Sequence, residues 1–405
     1  MKNKKKHIFL VVLLSMVALI FFYIYKFTFG HYVLEDKTEF GEVILFGDSP
    51  DYFDLNYDGP YISYHKNYAE IIEINKKNKD DHHPFKINIS VEDTIKLKDI
   101  VFNCITDSSE YSSKRNFTFK INKNICRLPS KINSKNSKIL IISDIEGNFD
   151  KLYNILLSNR VIDKNYKWTF ENNYLVLNGD FIDRGLNSIQ VLWLIYELER
   201  QSKNVIFLLG NHEEMNCRGN SKYNSRKQDA LNIILRSNSS YYFHENSEIG
   251  KWLRQKNSVQ IIDDIMIMHG GFSPNLLKER LSLDTINLII SKNLGIKKHL
   301  IKGNIEKLVL GDSGPLWYRG YFEENDEYSK AKQKDIDEIC NYYAVNKIIV
   351  GHTIVDEIKT HYKGKVIGID VSRHSDIKKN KPSGLLIENN KFFALDELGR
   401  KFPIK

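Results

Sequence analysis

Six runs of apolar, strand-like residues each stop at side chains that can bind a metal ion. The runs are KILIIS, YLVLNG, VIFLLG, DIMIM, KIIVG and KVIGI. The residues that follow them are Asp144 and Glu146, Asp180, Asn211, His269, His352 and Asp370. Carboxylate, amide and imidazole groups are common ligands of divalent cations in proteins. An ordinary turn or a buried polar group explains each residue singly, but six such coincidences in order are hard to explain as turns.

A site for two metal ions needs at least one carboxylate placed to bridge them. The candidate ligands are sufficient to hold two metal ions, with Asp180 as the bridge. They are Asp144, Glu146, Asp180, Asn211, His269 and His352. Asp370 follows the last apparent strand, and a turn or supporting role suits it better than that of a ligand.

The elements that must position these side chains alternate between strand and helix from residue 138 onward. Residues 149–162 and 188–201 carry apolar side chains at helical spacing, between the strand-like runs. This alternation predicts an α/β fold. Functional groups of α/β sheets collect where strands end, because the loops there share one edge of the sheet.

The chain before residue 138 has a different pattern of predicted secondary structure. Residues 31–130 hold short β-prone stretches separated by turns, which predicts a small β-sandwich-like domain. Residues 131–137, KINSKNS, are polar and are interpreted as a linker. The α/β domain is predicted to occupy 138–405.

The composition allows a large folded core and argues against nucleic-acid binding. The chain has 405 residues, of which 42% are hydrophobic, and a formal net charge of +8. Its lysines are scattered among Asn and Asp, which indicates a solvated surface. No nucleic-acid partner is therefore expected. The chain contains neither a GxGxxG nor a GxxxxGK phosphate-binding loop.

The first 30 residues predict a membrane anchor. Four lysines precede residues 8–25, an apolar run of 18 residues that contains one Ser and no charge. Such a run can just span a bilayer as a helix. The alternative is a cleaved secretory signal, although the run ends in aromatic residues rather than at a clear small-residue cleavage site. In either case the basic flank stays in the cytoplasm and the catalytic domain is exported, to the periplasm if the cell is Gram-negative.

The ordered motifs identify a resemblance. They are DIEGN, GDFIDRG, GNHEE, MHGGFSP, LWYRG and VGHT. In this order they resemble the calcineurin-like metallophosphoesterase superfamily, and within it the bacterial members of the phosphoprotein-phosphatase branch. The resemblance covers about residues 138–390. It implies a four-layer α-β-β-α sandwich with two divalent metal ions at the strand ends, manganese first, with iron, zinc or magnesium as alternatives.

The resemblance also implies a role for each site residue. Asp144 and the residue at 146 bind the first metal, Asp180 bridges, and Asn211, His269 and His352 bind the second. His212 acts as general acid for the leaving oxygen, and Asp183 orients its imidazole. Arg184 and Arg319 grip the phosphoryl oxygens, a task for which the planar guanidinium suits better than Lys.

Glu146 departs from the family pattern, which has His at this position. It can bind the metal directly through oxygen, or support the ligands while the first metal is held loosely. In a third interpretation the site has decayed and the protein only binds phosphorylated partners. The intact set of other ligands, with His212, Asp183 and both arginines, favours direct binding.

Three functions follow from the resemblance. The first is hydrolysis of phosphate monoesters, including phosphoserine or phosphothreonine of proteins, by attack of a metal-bound hydroxide. The second is hydrolysis of nucleotides or dinucleoside polyphosphates. The third is a non-catalytic module that binds phosphorylated ligands, and the intact His212 and Asp183 argue against it. The expected partners are a phosphorylated protein or small molecule, and a membrane through residues 8–25.

Overall fold

The computed structural model describes most of the chain from residue 32 onward. The described residues are 32–36, 43–47, 57–66, 68–76, 85–94, 97–107, 114–122, 126–234, 239–324, 326, 328–371 and 383–404.

Two six-stranded sheets form the centre of the catalytic part of the chain. The first has the order β11-β10-β9-β17-β18-β19 and the second β15-β16-β14-β13-β12-β8. Strands of the first sheet are β9 (Ile139–Ile142), β10 (Tyr174–Asn178), β11 (Val205–Leu208), β17 (Gly384–Glu388), β18 (Lys391–Leu395) and β19 (Lys401–Pro403). Strands of the second are β8 (Lys131–Ile132), β12 (Val259–Ile262), β13 (Ile265–Met268), β14 (Lys347–Val350), β15 (Thr360–His361) and β16 (Val366–Gly368).

The period-2 alternation of side chains along these strands separates two hydrophobic cores. In β9, Ile139 and Ile141 join a core that also holds residues of the second sheet, such as Ile267. Their neighbours Leu140 and Ile142 point to the opposite face and pack into the core that contains the helices. The two sheets therefore face each other, with helices on their outer sides. The predicted α/β fold is confirmed.

Ten α-helices lie in the described ranges. They are α1 (Phe149–Ser158), α2 (Ser188–Gln201), α3 (Asn211–Cys217), α4 (Arg226–Ile234), α5 (Ser239–Tyr242), α6 (Glu248–Leu253), α7 (Pro274–Lys278), α8 (Leu283–Asn293), α9 (Asn304–Leu310) and α10 (Gln333–Tyr343). Two short 3₁₀ helices span Leu97–Asp99 and Lys298–Leu300.

The β-rich region before residue 131 is one antiparallel sheet and a hairpin. The sheet has the order β1-β2-β5-β4-β3. Its strands are β1 (Tyr32–Asp36), β2 (Val43–Gly47), β3 (Tyr57–Tyr64), β4 (Tyr68–Lys76) and β5 (Phe85–Asp93). The hairpin is β6 (Phe102–Ile105) and β7 (Asn116–Phe119).

Helix α2 covers part of this region, where a sandwich would place a second sheet. Residues 188–198 are buried without exception, so the helix has no solvent face along this length. A helix that is apolar nearly all round belongs between two layers. The Trp193 ring stacks on Phe119 of the hairpin at 4.1 Å between centroids, and its indole N–H donates to the Pro60 carbonyl at 2.9 Å. The β-rich region therefore shares a core with the catalytic part.

A buried ion cluster lies at the same junction. Lys227 of α4 is 1% exposed, and its ammonium lies 3.0 Å from Asp107 and 3.3 Å from Asp58. It also donates to the Tyr57 carbonyl at 2.7 Å. Buried charges are stable only when paired in this way, and removal of one partner leaves an uncompensated charge.

Lys227→Met should therefore lower the free energy of unfolding by about 3–5 kcal/mol. Urea unfolding followed by circular dichroism measures it. The matched control is Lys203→Met at an exposed lysine, which should change the stability by less than about 0.5 kcal/mol. Equal effects of the two substitutions would contradict a stabilising role for the buried cluster.

Two further expectations concern the predicted linker and the predicted membrane anchor. Within the predicted linker 131–137, Lys131–Ile132 form the edge strand β8, which pairs in parallel with β12. A polar sequence is compatible with such a short edge strand. The predicted anchor at 8–25 lies outside the described residues. Of the helices within the described ranges, none is long and apolar enough to cross a membrane.

Candidate active site

Five candidate ligands lie directly beyond strand ends, as the sequence predicts. They are Asp144 after β9, Asp180 after β10, Asn211 after β11, His269 after β13 and His352 after β14. Strands β9, β10 and β11 pair in parallel, and so do β13 and β14. Their carboxyl ends therefore share an edge within each sheet, and the two edges bring the side chains together.

The turns that carry these residues are backbone-strained. Asp144, Asp180 and His352 have φ values of 54°, 58° and 62°, in the left-handed region. Glu146, Asp183 and Arg184 lie in the same region, at 52°, 71° and 57°. Such conformations are uncommon for residues with a Cβ and cluster at functional sites.

Glycines allow two of these turns to touch. A Cβ on Gly179 would lie 2.6 Å from Gly210 Cα, and a Cβ on Gly210 would lie 2.2 Å from Asp180 Oδ1. Glycine is therefore required before Asp180 and before Asn211, in the motifs GD and GNH.

Asp180, His269 and His352 form a buried cluster whose ligand atoms all lie within 4.8 Å of one another. His269 Nε2 is 3.0 Å from Asp180 Oδ2 and 3.1 Å from Asn211 Oδ1. The other ring nitrogen of His269 faces the Asn178 carbonyl at 2.9 Å. His352 Nε2 faces the Trp317 carbonyl at 3.0 Å. Each imidazole thus has one nitrogen held by a main-chain carbonyl, which leaves the other as a ligand.

The donor atoms fit a divalent cation. The Asn178 carbonyl can only accept, so Nδ1 of His269 carries a proton. In the neutral ring Nε2 then presents a lone pair towards a carboxylate oxygen and an amide oxygen, both of which are acceptors. Without a cation, this set is satisfied only by a second proton on His269. A divalent metal ion satisfies all three atoms at once.

The charges of the cluster shift its pKa values. Burial alone would raise the pKa of Asp180, but the facing imidazoles of His212, His269 and His352 hold it well below its usual range. Burial alone would lower the pKa of His269, but Asp180 raises it to about 9. Burial, with the charges of His269 and Arg319, lowers the pKa of His352 well below its usual range. The negative charge of Asp180 therefore favours the protonated form of the imidazoles around it.

His212 and Asp183 form a second pair beside the cluster. His212 Nδ1 lies 2.7 Å from Asp183 Oδ2, and both side chains are buried. Nε2 of His212 turns towards the cluster, 3.6 Å from Asp180 Oδ2. Burial alone would lower the pKa of His212, but Asp180 and Asp183 raise it above its usual value. The pair can hold a proton on the ring nitrogen that faces the reacting groups.

The remaining predicted residues surround this centre. The Asp144 carboxylate accepts from the His352 amide at 3.3 Å. Arg319 donates to the His352 carbonyl at 2.6 Å and lies 3.4 Å from His352 Nδ1. The ring of Trp317, for which no role was predicted, lies 6.0 Å from the His352 ring. The Asp370 carbonyl accepts from the Val355 amide, and its carboxylate is outside the metal-binding cluster.

Glu146 makes an ion pair that its motif does not indicate. Its carboxylate contacts Nη1 of Arg184 and, like that of Asp144, is not one of the clustered ligand atoms. Arg184 is 45% exposed, and its guanidinium lies 5.0 Å from the centre of the Tyr223 ring. Glu146 therefore contacts a predicted phosphate-binding residue, and its role as a metal ligand stays a prediction.

Comparison with known proteins decides the family. The family model of the calcineurin-like phosphoesterases matches residues 137–356, which is more than half of the chain. The chain belongs to the calcineurin-like phosphoesterase family. The resemblance predicted from its motifs is confirmed. The protein is a metal-dependent phosphatase of the dimetal type.

Several relatives of this phosphoesterase are phosphatases. Shewanella-like protein phosphatase 1 of Plasmodium berghei is 27% identical over 342 residues, which are 81% of this chain and 86% of that protein. The serine/threonine-protein phosphatase rdgC of Drosophila melanogaster is 30% identical over 161 residues, which are 38% of this chain and 20% of that protein. The solved structure of a cold-active protein-tyrosine phosphatase from a psychrophilic Shewanella species has a TM-score of 0.72 and 27% identity. It covers 86% of this chain and 100% of its own.

Three supporting residues of this phosphoesterase were not predicted from its sequence. The Glu213 carboxylate accepts from the amides of Gly210, Asp180 and Phe181 at 2.8–3.0 Å, and so joins two ligand turns. Burial and the neighbouring Asp180 raise the pKa of Glu213 to about 7.

The other two missed residues support the acid pair. The Asn216 amide donates to Asp183 Oδ1 at 2.9 Å, and the Tyr223 ring lies 4.9 Å from the His212 ring. The spacing of His212 and Asn216, four residues apart on a helix, was a signal that could have revealed Asn216.

Glu146→Gln should distinguish the two roles of Glu146 in the phosphoesterase. If its carboxylate competes with phosphate for Arg184, the inhibition constant for inorganic phosphate should fall by roughly fivefold, the equivalent of about 1 kcal/mol for a half-exposed ion pair. The metal content should not change. Steady-state inhibition and elemental analysis measure the two quantities. Loss of one metal equivalent would instead support direct ligation by Glu146.

Proposed function

We propose that this phosphatase hydrolyses phosphate monoesters on proteins. The observation that carries the proposal is the buried His212–Asp183 pair, whose free nitrogen faces the metal-binding cluster. Esters of Ser and Thr have poor leaving groups, and their departure needs a proton from a general acid. The names of the relatives, which include protein phosphatases and a protein-tyrosine phosphatase, support a protein substrate.

The side chains divide the reaction between them. Arg319 and Arg184 bind the phosphoryl oxygens with planar guanidinium groups. Asp183 holds the His212 imidazole at 2.7 Å, so that its Nε2–H is presented to the oxygen of the leaving alcohol. The Asp183 carboxylate orients the imidazole and stabilises the imidazolium before the proton is transferred.

The metal ligands proposed are Asp144, Asp180, Asn211, His269 and His352. Two divalent cations bound there would supply a nucleophile from water at neutral pH and neutralise charge on the phosphoryl group. A mixed set of oxygen and imidazole ligands suits borderline ions, and we propose manganese first. Elemental analysis of the purified protein, followed by removal and replacement of the metals, tests the identity. Full activity with zinc and none with manganese would overturn it.

A panel of substrates tests the activity. Phosphoserine, phosphothreonine and phosphotyrosine peptides of one sequence should be compared with nucleotides, a dinucleoside polyphosphate and aryl phosphates. We expect the highest kcat/KM on a phosphopeptide. A higher kcat/KM on a dinucleoside polyphosphate would overturn the proposal and favour nucleotide hydrolysis. Binding of phosphopeptides without turnover of any compound would indicate a non-catalytic module.

We further propose that residues 8–25 anchor the protein in a membrane, with the catalytic domain outside the cytoplasm. The cluster of lysines before the apolar run supports this orientation, because positive charge is retained on the cytoplasmic side. Protease added to intact spheroplasts should digest the catalytic domain. Protection until lysis would overturn the orientation, and a mature N-terminus near residue 31 would show secretion after cleavage.

A further inference from the structure

We propose that the β-rich region positions the turn that carries Asp183 and Arg184, and that Asn187 is the positioning residue that joins them. The inference rests on the proposed function, because it assigns that turn its part in the reaction. It gives the β-rich region a role in catalysis without requiring it to bind a ligand.

Asn187 occupies an unusual position for its contacts. It is the residue before α2, where an Asn side chain normally accepts from an amide of the first helical turn. Here it makes no such cap. Its amide group instead bonds both main-chain groups of Asp107: Oδ1 accepts from the Asp107 N–H at 2.7 Å, and Nδ2 donates to the Asp107 carbonyl at 3.3 Å. The side chain therefore links two parts of the chain rather than stabilising its own helix.

Asp107 is itself fixed within the β-rich region. It is fully buried, and its carboxylate accepts from the Tyr57 amide at 2.9 Å and faces Lys227 at 3.0 Å. Asp58, at the other side of Lys227, accepts from Gln190 of α2 at 2.9 Å. Two buried carboxylates thus hold α2 and α4 in one place relative to strand β3.

The opposite side of Asn187 leads to the catalytic turn. The main-chain N–H of Asn187 donates to the Gly147 carbonyl at 3.1 Å. The next residue, Ser188, accepts from the Asp183 amide through its hydroxyl at 3.0 Å. The Gly185 amide donates to the Glu146 carbonyl at 2.9 Å. The turn from 183 to 188 is therefore tied to the first metal-binding loop at one end and to Asp107 at the other.

Lys227 also supports the segment around Tyr223, which contacts the turn from the other side. Lys227 lies four residues after Tyr223. The Tyr223 carbonyl accepts from the Arg184 main-chain N–H at 2.9 Å, and its ring faces both Arg184 and His212. The helix that follows Tyr223 is therefore anchored on the carboxylates of Asp58 and Asp107 through Lys227.

This arrangement separates Asp183 and Arg184 from most of the metal ligands. Asp180, Asn211, His269 and His352 lie at strand ends, outside the turn. A displaced turn should therefore weaken proton donation by His212 and phosphate binding by Arg184, and leave the metals in place. A displacement of about 1 Å can lower a rate by roughly 10²-fold.

The test uses Asn187→Ala and Asn187→Ser in the full-length protein. Serine is a good helix cap but is too short to bond both groups of Asp107, so it removes the link without weakening α2. Both variants should keep wild-type metal content. On alkyl phosphates kcat should fall roughly 10²-fold, with a smaller loss on aryl phosphates of good leaving groups, and the inhibition constant for inorganic phosphate should rise. Ser282→Ala, which removes the cap of α8, is the matched control and should change only thermal stability.

A double variant identifies the route of the effect. If Asn187 acts on proton donation through Asp183, Asn187→Ser combined with Asp183→Asn should have the same ratio of alkyl to aryl phosphate rates as Asp183→Asn alone. A further fall in this ratio would overturn the inference, and so would a loss of metal or an equal loss on good and poor leaving groups in Asn187→Ser. These outcomes differ from a failure of the proposed function, in which the wild-type protein would not hydrolyse simple phosphate monoesters.

Discussion

Replacement of Asp180 by Asn should remove both metal ions and the phosphatase activity together. Asp180 supplies the carboxylate of the cluster that it forms with both histidines, and its Oδ2 lies 3.0 Å from His269 Nε2. The amide removes the negative charge and substitutes an NH₂ group for one of the two oxygens. Loss of groups that only support a ligand costs roughly 10–100-fold in metal affinity, so loss of the bridging ligand should cost more.

Asp370→Asn is the matched control for this experiment. Asp370 is also a buried aspartate after a strand, but its carboxylate lies outside the metal-binding cluster. It should retain both metals and most of the activity. Elemental analysis and the rate on an aryl phosphate, each at saturating manganese, give the comparison. Two metal equivalents in Asp180→Asn, or the same loss in both variants, would exclude a bridging role for Asp180.

The positions of the strand-end residues could be predicted because their cause is local and repetitive. Each follows a short apolar run, and parallel strands deliver their carboxyl ends to a shared edge. This rule places Asp180 with Asn211 at the edge of one sheet and His269 with His352 at the edge of the other, whereas the packing of the two sheets brings the edges together. The alternation within residues 139–142 likewise follows from the pleat of a strand.

The orientation of individual side chains could not be predicted in the same way. Glu146 and Arg184 are separated by a strand and a helix in sequence, and nothing in either motif indicates that they pair. The left-handed backbone at 144, 146, 183 and 184 also turns these side chains in directions that a pattern of residue types does not encode.

The element that packs on the N-terminal sheet was also not predicted from the sequence. Short strands with turns are compatible with a second sheet or with a helix as cover. Helix α2 is apolar nearly all round because it lies between two layers, and this feature of residues 188–198 was the available signal. The link between Asp107 and Asn187 joins residues 80 positions apart, and polar residues of common types carry no code for such a contact.

Replacement of His212 by Asn should leave the metals in place and slow the departure of poor leaving groups. The imidazole is held by Asp183 at 2.7 Å, and the ligand atoms of the cluster belong to other residues. General acid catalysis contributes roughly 10²–10⁴-fold, so the loss on alkyl phosphates should lie in this range. Elemental analysis should find the wild-type metal content. His299→Asn, at an exposed histidine, is the control and should have no effect.

The dependence on the leaving group separates proton donation from other roles of His212. A leaving oxygen of low pKa departs without a proton, whereas an alkoxide needs one, so the rates of the variant should depend more steeply on leaving-group pKa than those of the wild type. Asp183→Asn should change the dependence in the same direction but less, because the imidazole remains while its orientation and positive charge lose their support. If His212→Asn slows aryl and alkyl phosphates equally, the residue acts by binding or by shaping the cluster, and the proton must come from another group.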